Sequence, residues 1–107
     1  MSQSHTLQFQ VVLLHEAGQW VAQCLNPDVA EQGATIREAK GNLAKALSAH
    51  IVLALQNNQE PFSGLSPAPV EYWARFRDGQ RLTDQEPVFV PPAFMVNAMA
   101  TDLRVSA

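Results

Sequence analysis

The strongest local signal in the sequence is Thr35-Ile36-Arg37-Glu38. A threonine followed three residues later by a glutamate is a capping box, in which the threonine hydroxyl accepts a hydrogen bond from the glutamate amide and the carboxylate reaches back to the threonine amide. Both hydrogen bonds satisfy amides that the first turn of a helix leaves unpaired. The four residues therefore predict that a helix starts here.

The residues that follow continue this helix. Apolar or aromatic side chains recur at three- and four-residue spacing and predict one stripe that faces a sheet, made of Ile36, Ala39, Leu43, Leu47, His50, Ile51 and Ala54. Gly41 costs about 1 kcal/mol in a helix interior relative to alanine, which predicts close packing against a neighbouring backbone. We expect His50 at the edge of the core with one hydrogen-bond partner, and the helix to end at Asn57-Asn58.

Two strands precede the capping box. Leu7 to Leu14 alternates in the period-two pattern of a strand, and its second face turns apolar toward the end, at Val12 and Leu14. A turn from Glu16 to Gln19, in which Gly18 can supply a positive φ, leads to a second strand from Trp20 to Leu25. The two strands therefore form a β-hairpin.

The turn fixes the register of this hairpin. It pairs His15 with Trp20 and places Cys24 opposite Val11, so His15 and Cys24 are too far apart to form a nucleophilic pair. After an interruption at Pro27, which has no amide hydrogen to donate, a short third strand is predicted from residue 29 to 32. Gly33 ends that strand.

Proline shapes the chain beyond the helix. Residues 59–69 are predicted to be a loop, and Pro69 to occupy the first position of a short helix that Asp78-Gly79 ends. Pro87, Pro91 and Pro92 then favour an extended chain, and alternation from Met95 to Val105 predicts a last strand.

The short helix carries the candidate partner-contact residues, which are Tyr72, Trp73, Arg75, Phe76 and Arg77. Aromatic residues and arginine dominate the energetics of protein interfaces. An aromatic helix that anchors the preceding loop to the core would have the same composition. Both interpretations follow from the sequence.

The apolar second face of the first two strands also leaves alternatives open. One helix covers one face of a sheet, so the other face needs a second cover. That cover is either a second copy of the chain or another protein, or the C-terminal segment folding back. The first alternative predicts a homodimer or a higher oligomer.

The composition of the chain limits the kinds of protein it can be. A chain of 107 residues, 47% of them hydrophobic, builds one domain, to which residues 1–58 contribute a hairpin and helix and residues 59–107 a Pro-rich extension. The net charge of −3 lacks the positive excess that binding along a phosphate backbone requires. The polar start of the chain and its single cysteine, Cys24, predict a cytoplasmic protein without a membrane segment.

No pattern in the sequence predicts catalysis. The histidines His5, His15 and His50 have no metal-ligand spacing, and no nucleophile elbow, P-loop or dinucleotide-binding glycine motif occurs. Two-metal phosphoryl chemistry needs carboxylates that converge from strand interiors, and the two long N-terminal strands contain none. We therefore predict no catalytic, metal or cofactor-binding residue.

The stretch from Val11 to Leu55 resembles the HicB-like family, the antitoxins of HicA toxins. The family has a strand, a Gly-containing turn, an aromatic-x-Ala strand, a Pro-Asp or similar corner, and a Gly-x-Thr-x-x-Glu-Ala element that opens a helix. The corresponding residues here are Gly18, Trp20-Val21-Ala22, Pro27-Asp28 and Gly33-Ala34-Thr35-Ile36-Arg37-Glu38-Ala39, continuing into Asn42-Leu43 and Ala46-Leu47.

This resemblance implies an α+β fold, a truncated RNase H-like β-β-β-α-β domain, here with a Pro-rich C-terminal extension. It also implies a non-enzymatic partner of a small basic HicA-like toxin that cleaves messenger RNA and whose catalytic histidine the domain blocks. Many members carry a C-terminal DNA-binding segment, but from Pro61 onward this chain has four arginines against five acidic residues, a net charge of −1. We therefore do not expect direct DNA binding. The alternative function is a structural domain without a toxin that associates with itself through its sheet.

Overall fold

A mixed sheet with one helix on each face forms the fold, which belongs to the α+β class. The computed structural model describes residues 5–82, 86–88 and 96–106. Along the chain the elements are β1 (His5–Glu16), β2 (Gln19–Cys24), β3 (Val29–Gly33), α1 (Ile36–Gln56), α2 (Val70–Arg77), β4 (Gln80–Leu82), β5 (Glu86–Val88) and β6 (Val96–Val105). The predicted extended residues Pro91 and Pro92, and Met95 of the predicted last strand, lie outside the described residues.

The N-terminal half forms an antiparallel meander. β1 and β2 pair in the predicted register, with His15 opposite Trp20 and Val11 opposite Cys24. Their two-residue turn has positive φ at both Ala17, 49°, and Gly18, 78°. β3 pairs antiparallel with β2 at the edge of the sheet, after a bend that contains a cis Asn26–Pro27 peptide bond.

The last strand completes the sheet at its centre rather than at its edge. β6 runs parallel to β1, and the strand order is β3-β2-β1-β6-β4. β4 and β5 both pair antiparallel with β6, β4 along residues 103–105 and β5 along residues 98–100. The long connection through α1 and α2 makes the parallel pairing of β1 and β6 possible, since parallel neighbours need a crossover.

The capping box starts α1 at the predicted position. The Glu38 amide donates to Thr35 Oγ1 over 3.1 Å, as predicted. The Glu38 carboxylate, however, accepts from the amide of Ala34, 2.9 Å away, and not from that of Thr35. The helix ends with Asn57 as its C-cap, which agrees with the prediction.

One face of the sheet packs against α1. The helix buries Ala39, Leu43, Leu47 and Ile51 on side chains of β1, β2 and β6, among them Phe9, Val11, Leu13, Ala22, Cys24 and Leu103. His50 deviates from the predicted stripe: its side chain is exposed, and its ring lies 6.1 Å from the Phe62 ring rather than in the core.

The close approach predicted at Gly41 occurs at Gly33 instead. A Cβ at Gly41 would meet nothing within 4 Å, so that prediction was wrong. A Cβ at Gly33 would press against the backbone nitrogen of Ala39 and would lie 2.7 Å from Glu38 Cβ. The glycine at the end of β3 thus lets the first turn of α1 fold tightly back on the sheet.

The second face of the sheet is covered by the chain itself. Val12, Leu14 and Leu25 form a second buried cluster with Ala68 and Phe76, and Val21, Tyr72 and Trp73 pack against it. Of the two alternatives for this face, the structure shows the C-terminal segment folding back. None of the helices in the described ranges has the length and apolar character needed to cross a bilayer.

Candidate protein-binding surface

Two backbone hydrogen bonds position α2 over the second face. The Ala68 amide donates to the Leu25 carbonyl over 2.7 Å, and the Asp28 amide donates to the Ser66 carbonyl over 2.9 Å. They join the segment before α2 to the end of β2. Pro69 is the N-cap of α2, one residue before the helical position predicted for it.

Three of the five predicted contact residues anchor α2 to the sheet. Phe76 is buried, 6% exposed, and Tyr72 and Trp73 are half-buried beside it. Trp73 Nε1 donates to the Ala68 carbonyl over 3.0 Å, so the polar edge of the indole is also used within the chain. The anchoring role that the sequence left open is therefore present in the structure.

The two predicted arginines have different environments. Arg75 forms a 3.2 Å ion pair with Glu16 and donates to Ser106 Oγ over 3.0 Å, so it links α2 to the ends of β1 and β6. Arg77 is exposed and pairs with its neighbour Asp78 over 3.3 Å. Of the five residues, Arg77 presents the most accessible side chain to a partner.

A groove runs along α2 toward β6. Its volume is about 360 Å³, and Val70, Trp73, Ala74, Phe76, Arg77 and Arg104 line it. Arg104, which sequence reasoning missed, lies 4.3 Å above the Phe76 ring and donates to the carbonyls of Phe76 and Arg77. Asp102 and Arg104 are the two charged residues in the sequence of β6, and this Asp-x-Arg pair is the signal that could have indicated it.

Asp102 lies two residues before Arg104, on the same face of β6, and forms an ion pair with it. Its carboxylate lies 3.3 Å from Arg104 Nε and 3.4 Å from Arg81 Nη2. Partial burial alone would raise the pKa of Asp102, but the hydrogen bonds from Arg104 and Arg81 outweigh it and lower that pKa below its usual value. One carboxylate thus fixes two arginines beside the groove.

A second groove lies at the C-terminal end of α1. It measures about 150 Å³ and is lined by His50, Leu53, Ala54, Gln59, Glu60, Phe62, Ser63 and Leu65. Leu53 and Leu65 are 62% and 43% exposed, so two large aliphatic side chains face solvent in one groove. From the sequence, residues 59–69 were predicted to be a loop and the end of α1 part of a helix, and neither was predicted to bind a partner. The uncharged run from residue 46 to 59 was the available signal.

The remaining reactive side chains do not form a site. Burial raises the pKa of the Cys24 thiol to about 11, so at neutral pH it is a protonated apolar group. His15 is exposed and its ring lies 4.8 Å from the Trp20 ring. Within residues 5–82, 86–88 and 96–106, no group of three or more histidine, cysteine or acidic side chains could hold a metal ion.

Comparison of the chain with protein-family models, with curated proteins and with solved structures found no match.

Proposed function

We propose that this chain is a HicB-like, non-enzymatic binding module that neutralises a small basic HicA-like toxin by direct contact. The observation that carries the proposal is the order of the elements. Three antiparallel strands, a helix and a further strand beside the first follow one another as β-β-β-α-β, with α2, β4 and β5 placed between α1 and β6. A truncated RNase H-like fold is the finer assignment that we propose for these elements.

The charge of the chain supports a basic partner. A protein with net charge −3 attracts a cationic surface at long range, and complementary charge raises the rate at which two proteins meet. The partner would bind as an intact folded protein, and the proposal assigns no cofactor.

Co-expression with small basic toxins of the HicA type tests this proposal. We expect the chain to restore growth of cells that express its toxin, and the two proteins to co-purify as a complex. A soluble chain that neither restores growth nor co-purifies with any such toxin would contradict it.

Self-association through the sheet is the second hypothesis. The face that suggested it is covered by α2 of the same chain, so a second copy is not needed there. Light scattering on the purified chain separates the two hypotheses, because a stable monomer contradicts self-association and leaves toxin binding in place.

A further inference from the structure

The geometry points to the groove at the end of α1 as the docking site of the basic partner, which inserts one apolar side chain between Leu53 and Leu65 and places a cationic side chain beside Glu60. The inference rests on the proposed function for the class of partner. It assigns that partner to a surface away from the predicted contact residues on α2.

The groove has the size and lining of an anchor site. Leu53 on α1 is 62% exposed and Leu65 on the following loop is 43% exposed, and burial of either side chain against a partner would be favourable. A space of about 150 Å³ accepts one apolar group of the size of a leucine or phenyl side chain. A partner side chain seated there would bury both leucines at once.

The wall of the groove is fixed before any partner arrives. The Gln59 amide donates to the Ala54 carbonyl, and Asn57 Nδ2 donates to the Leu53 carbonyl, each over 2.8 Å. Phe62 holds a left-handed φ of 65° while its ring packs edge-on against Phe9, with ring centres 5.6 Å apart. Such a conformation is uncommon for an aromatic residue. The loop is therefore anchored in the core through Phe62, with Leu65 outside.

The charge around the groove selects a cationic partner. Among the described residues that line the groove, Glu60 is the one Asp, Glu, Lys or Arg side chain, and the sequence has no lysine or arginine between Lys45 and Arg75. The last turn of α1 has no basic residue, so the partial negative charge at the C-terminus of a 21-residue helix is not offset by its own side chains. Glu60 adds a full negative charge at the same place.

The groove beside α2 has the opposite character. Arg77 and Arg104 line it and none of the described acidic side chains does, although Asp78 pairs with Arg77, and Asp102 pairs with Arg104 and with Arg81 on the neighbouring strand. A cationic partner would meet these arginines, so charge alone favours the end of α1. Val70, which is 79% exposed and lines the groove beside α2, supplies a matched control.

Substitution of the groove residues in a toxin-binding experiment tests the inference. We expect the Leu53→Ser, Leu65→Ser double variant to weaken toxin binding at least tenfold, Glu60→Lys to weaken it at least fivefold at low salt, and Val70→Ser to change it less than twofold. Thermal unfolding of each variant shows whether the fold is kept, which the exposure of all four side chains leads us to expect. Double-variant binding equal to wild type would overturn the inference.

A second arm needs no toxin. A ten-residue peptide of alternating arginine and leucine, with a glutamate-leucine peptide as its counterpart, is titrated into the labelled protein and followed by amide chemical shifts. We expect the arginine peptide alone to shift residues 50–65. Equal binding of the glutamate peptide, shifts centred on α2, or no shifts at millimolar peptide would each overturn the inference.

The two experiments distinguish a failure of the docking site from a failure of the antitoxin function on which it rests. Neutralisation that survives the double variant refutes the groove and leaves the antitoxin function. Peptide binding in the groove without binding of any toxin supports the groove and refutes the function.

Discussion

The guanidinium carbon of Arg104 lies 4.3 Å from the centre of the Phe76 ring. The same side chain donates to the carbonyls of Phe76 and Arg77 at the end of α2 and to the carboxylate of Asp102. Arg104 thus joins the short helix to the central strand pair of the sheet. The planar guanidinium is required here. A lysine ammonium group cannot stack on the Phe76 ring and at the same time donate both to the α2 carbonyls and to Asp102.

Replacing Arg104 should therefore weaken the attachment of α2. We expect Arg104→Lys to lower the free energy of unfolding by about 1–2 kcal/mol through loss of the stacking and of the paired hydrogen bonds. Urea denaturation measures the effect, with exposed Arg77→Lys as the control, expected to change stability by less than about 0.5 kcal/mol. Equal effects of the two variants would contradict this role.

Phe76 should dominate the second apolar cluster. Because the ring is buried, we expect Phe76→Ala to cost about 3–5 kcal/mol, whereas exposed Val70→Ala costs less than about 0.5 kcal/mol. Thermal unfolding measures both variants. If the Phe76→Ala variant does not fold, the Phe76→Leu variant is measured instead. If that variant is destabilised and binds the partner unchanged, Phe76 has no contact role.

Gly33 and Gly41 should respond oppositely to the same substitution. A methyl group at Gly33 meets backbone of α1, which cannot move aside, so Gly33→Ala should cost about 2–3 kcal/mol. Gly41→Ala enters open space in a helix interior and should stabilise the protein by about 0.5–1 kcal/mol. Chemical denaturation of the pair checks the signs, and a stabilising Gly33→Ala would show that α1 can shift.

The hairpin turn offers a stabilising substitution. Ala17 has a left-handed φ that alanine rarely adopts, and it precedes Gly18 in a two-residue turn in which both φ angles are positive. Asn-Gly is the preferred pair for such a turn, so Ala17→Asn should raise the melting temperature and stabilise by about 0.5–1 kcal/mol. Gly18→Ala places an alanine at the second positive φ of the turn and should lower the melting temperature. A lower melting temperature for Ala17→Asn would contradict the prediction.

Acidification should detach Asp102 from its two arginines. The pKa of Asp102 is lowered in the folded chain, so its ionised form contributes stability above the unfolded value of about 3.9, and this contribution is lost as the pH falls through the folded pKa. Asp102→Asn should cost stability at pH 7 and lose less stability than wild type between pH 5 and pH 2. Denaturation curves across that range test this, and parallel pH profiles would contradict it.

Local patterns in the sequence predicted the N-terminal half well. The hairpin register followed from a short turn, because each residue added to a turn shifts every cross-strand pair. Both ends of α1 followed from side chains that satisfy helix-end amides and carbonyls within a few residues. The amide that donates to the Glu38 carboxylate belongs to Ala34 and not, as predicted, to Thr35. The two amides are one peptide unit apart, and a capping motif alone does not distinguish between them.

Those local patterns did not predict which strands pair when they lie far apart in the sequence. Alternation predicted a strand near Val105, but not that it would lie parallel to β1 between β1 and β4, since period-two patterning carries no information about neighbours. The same holds for the two faces: only the structure shows that α2 covers the second one. The aromatic and basic character of the five predicted contact residues was visible in the sequence, but the burial of Phe76 and the partial burial of Tyr72 and Trp73 were not.

The central place of β6 also bears on how the chain is made. While the first 58 residues leave the ribosome, β1 has an unpaired edge where residues 96–105 will later bind, and the side chains under α2 are still in water. Both a free strand edge and an apolar surface favour pairing with other chains. Until residue 105 is synthesised, that edge and that apolar surface stay exposed, so the nascent half should be prone to aggregate.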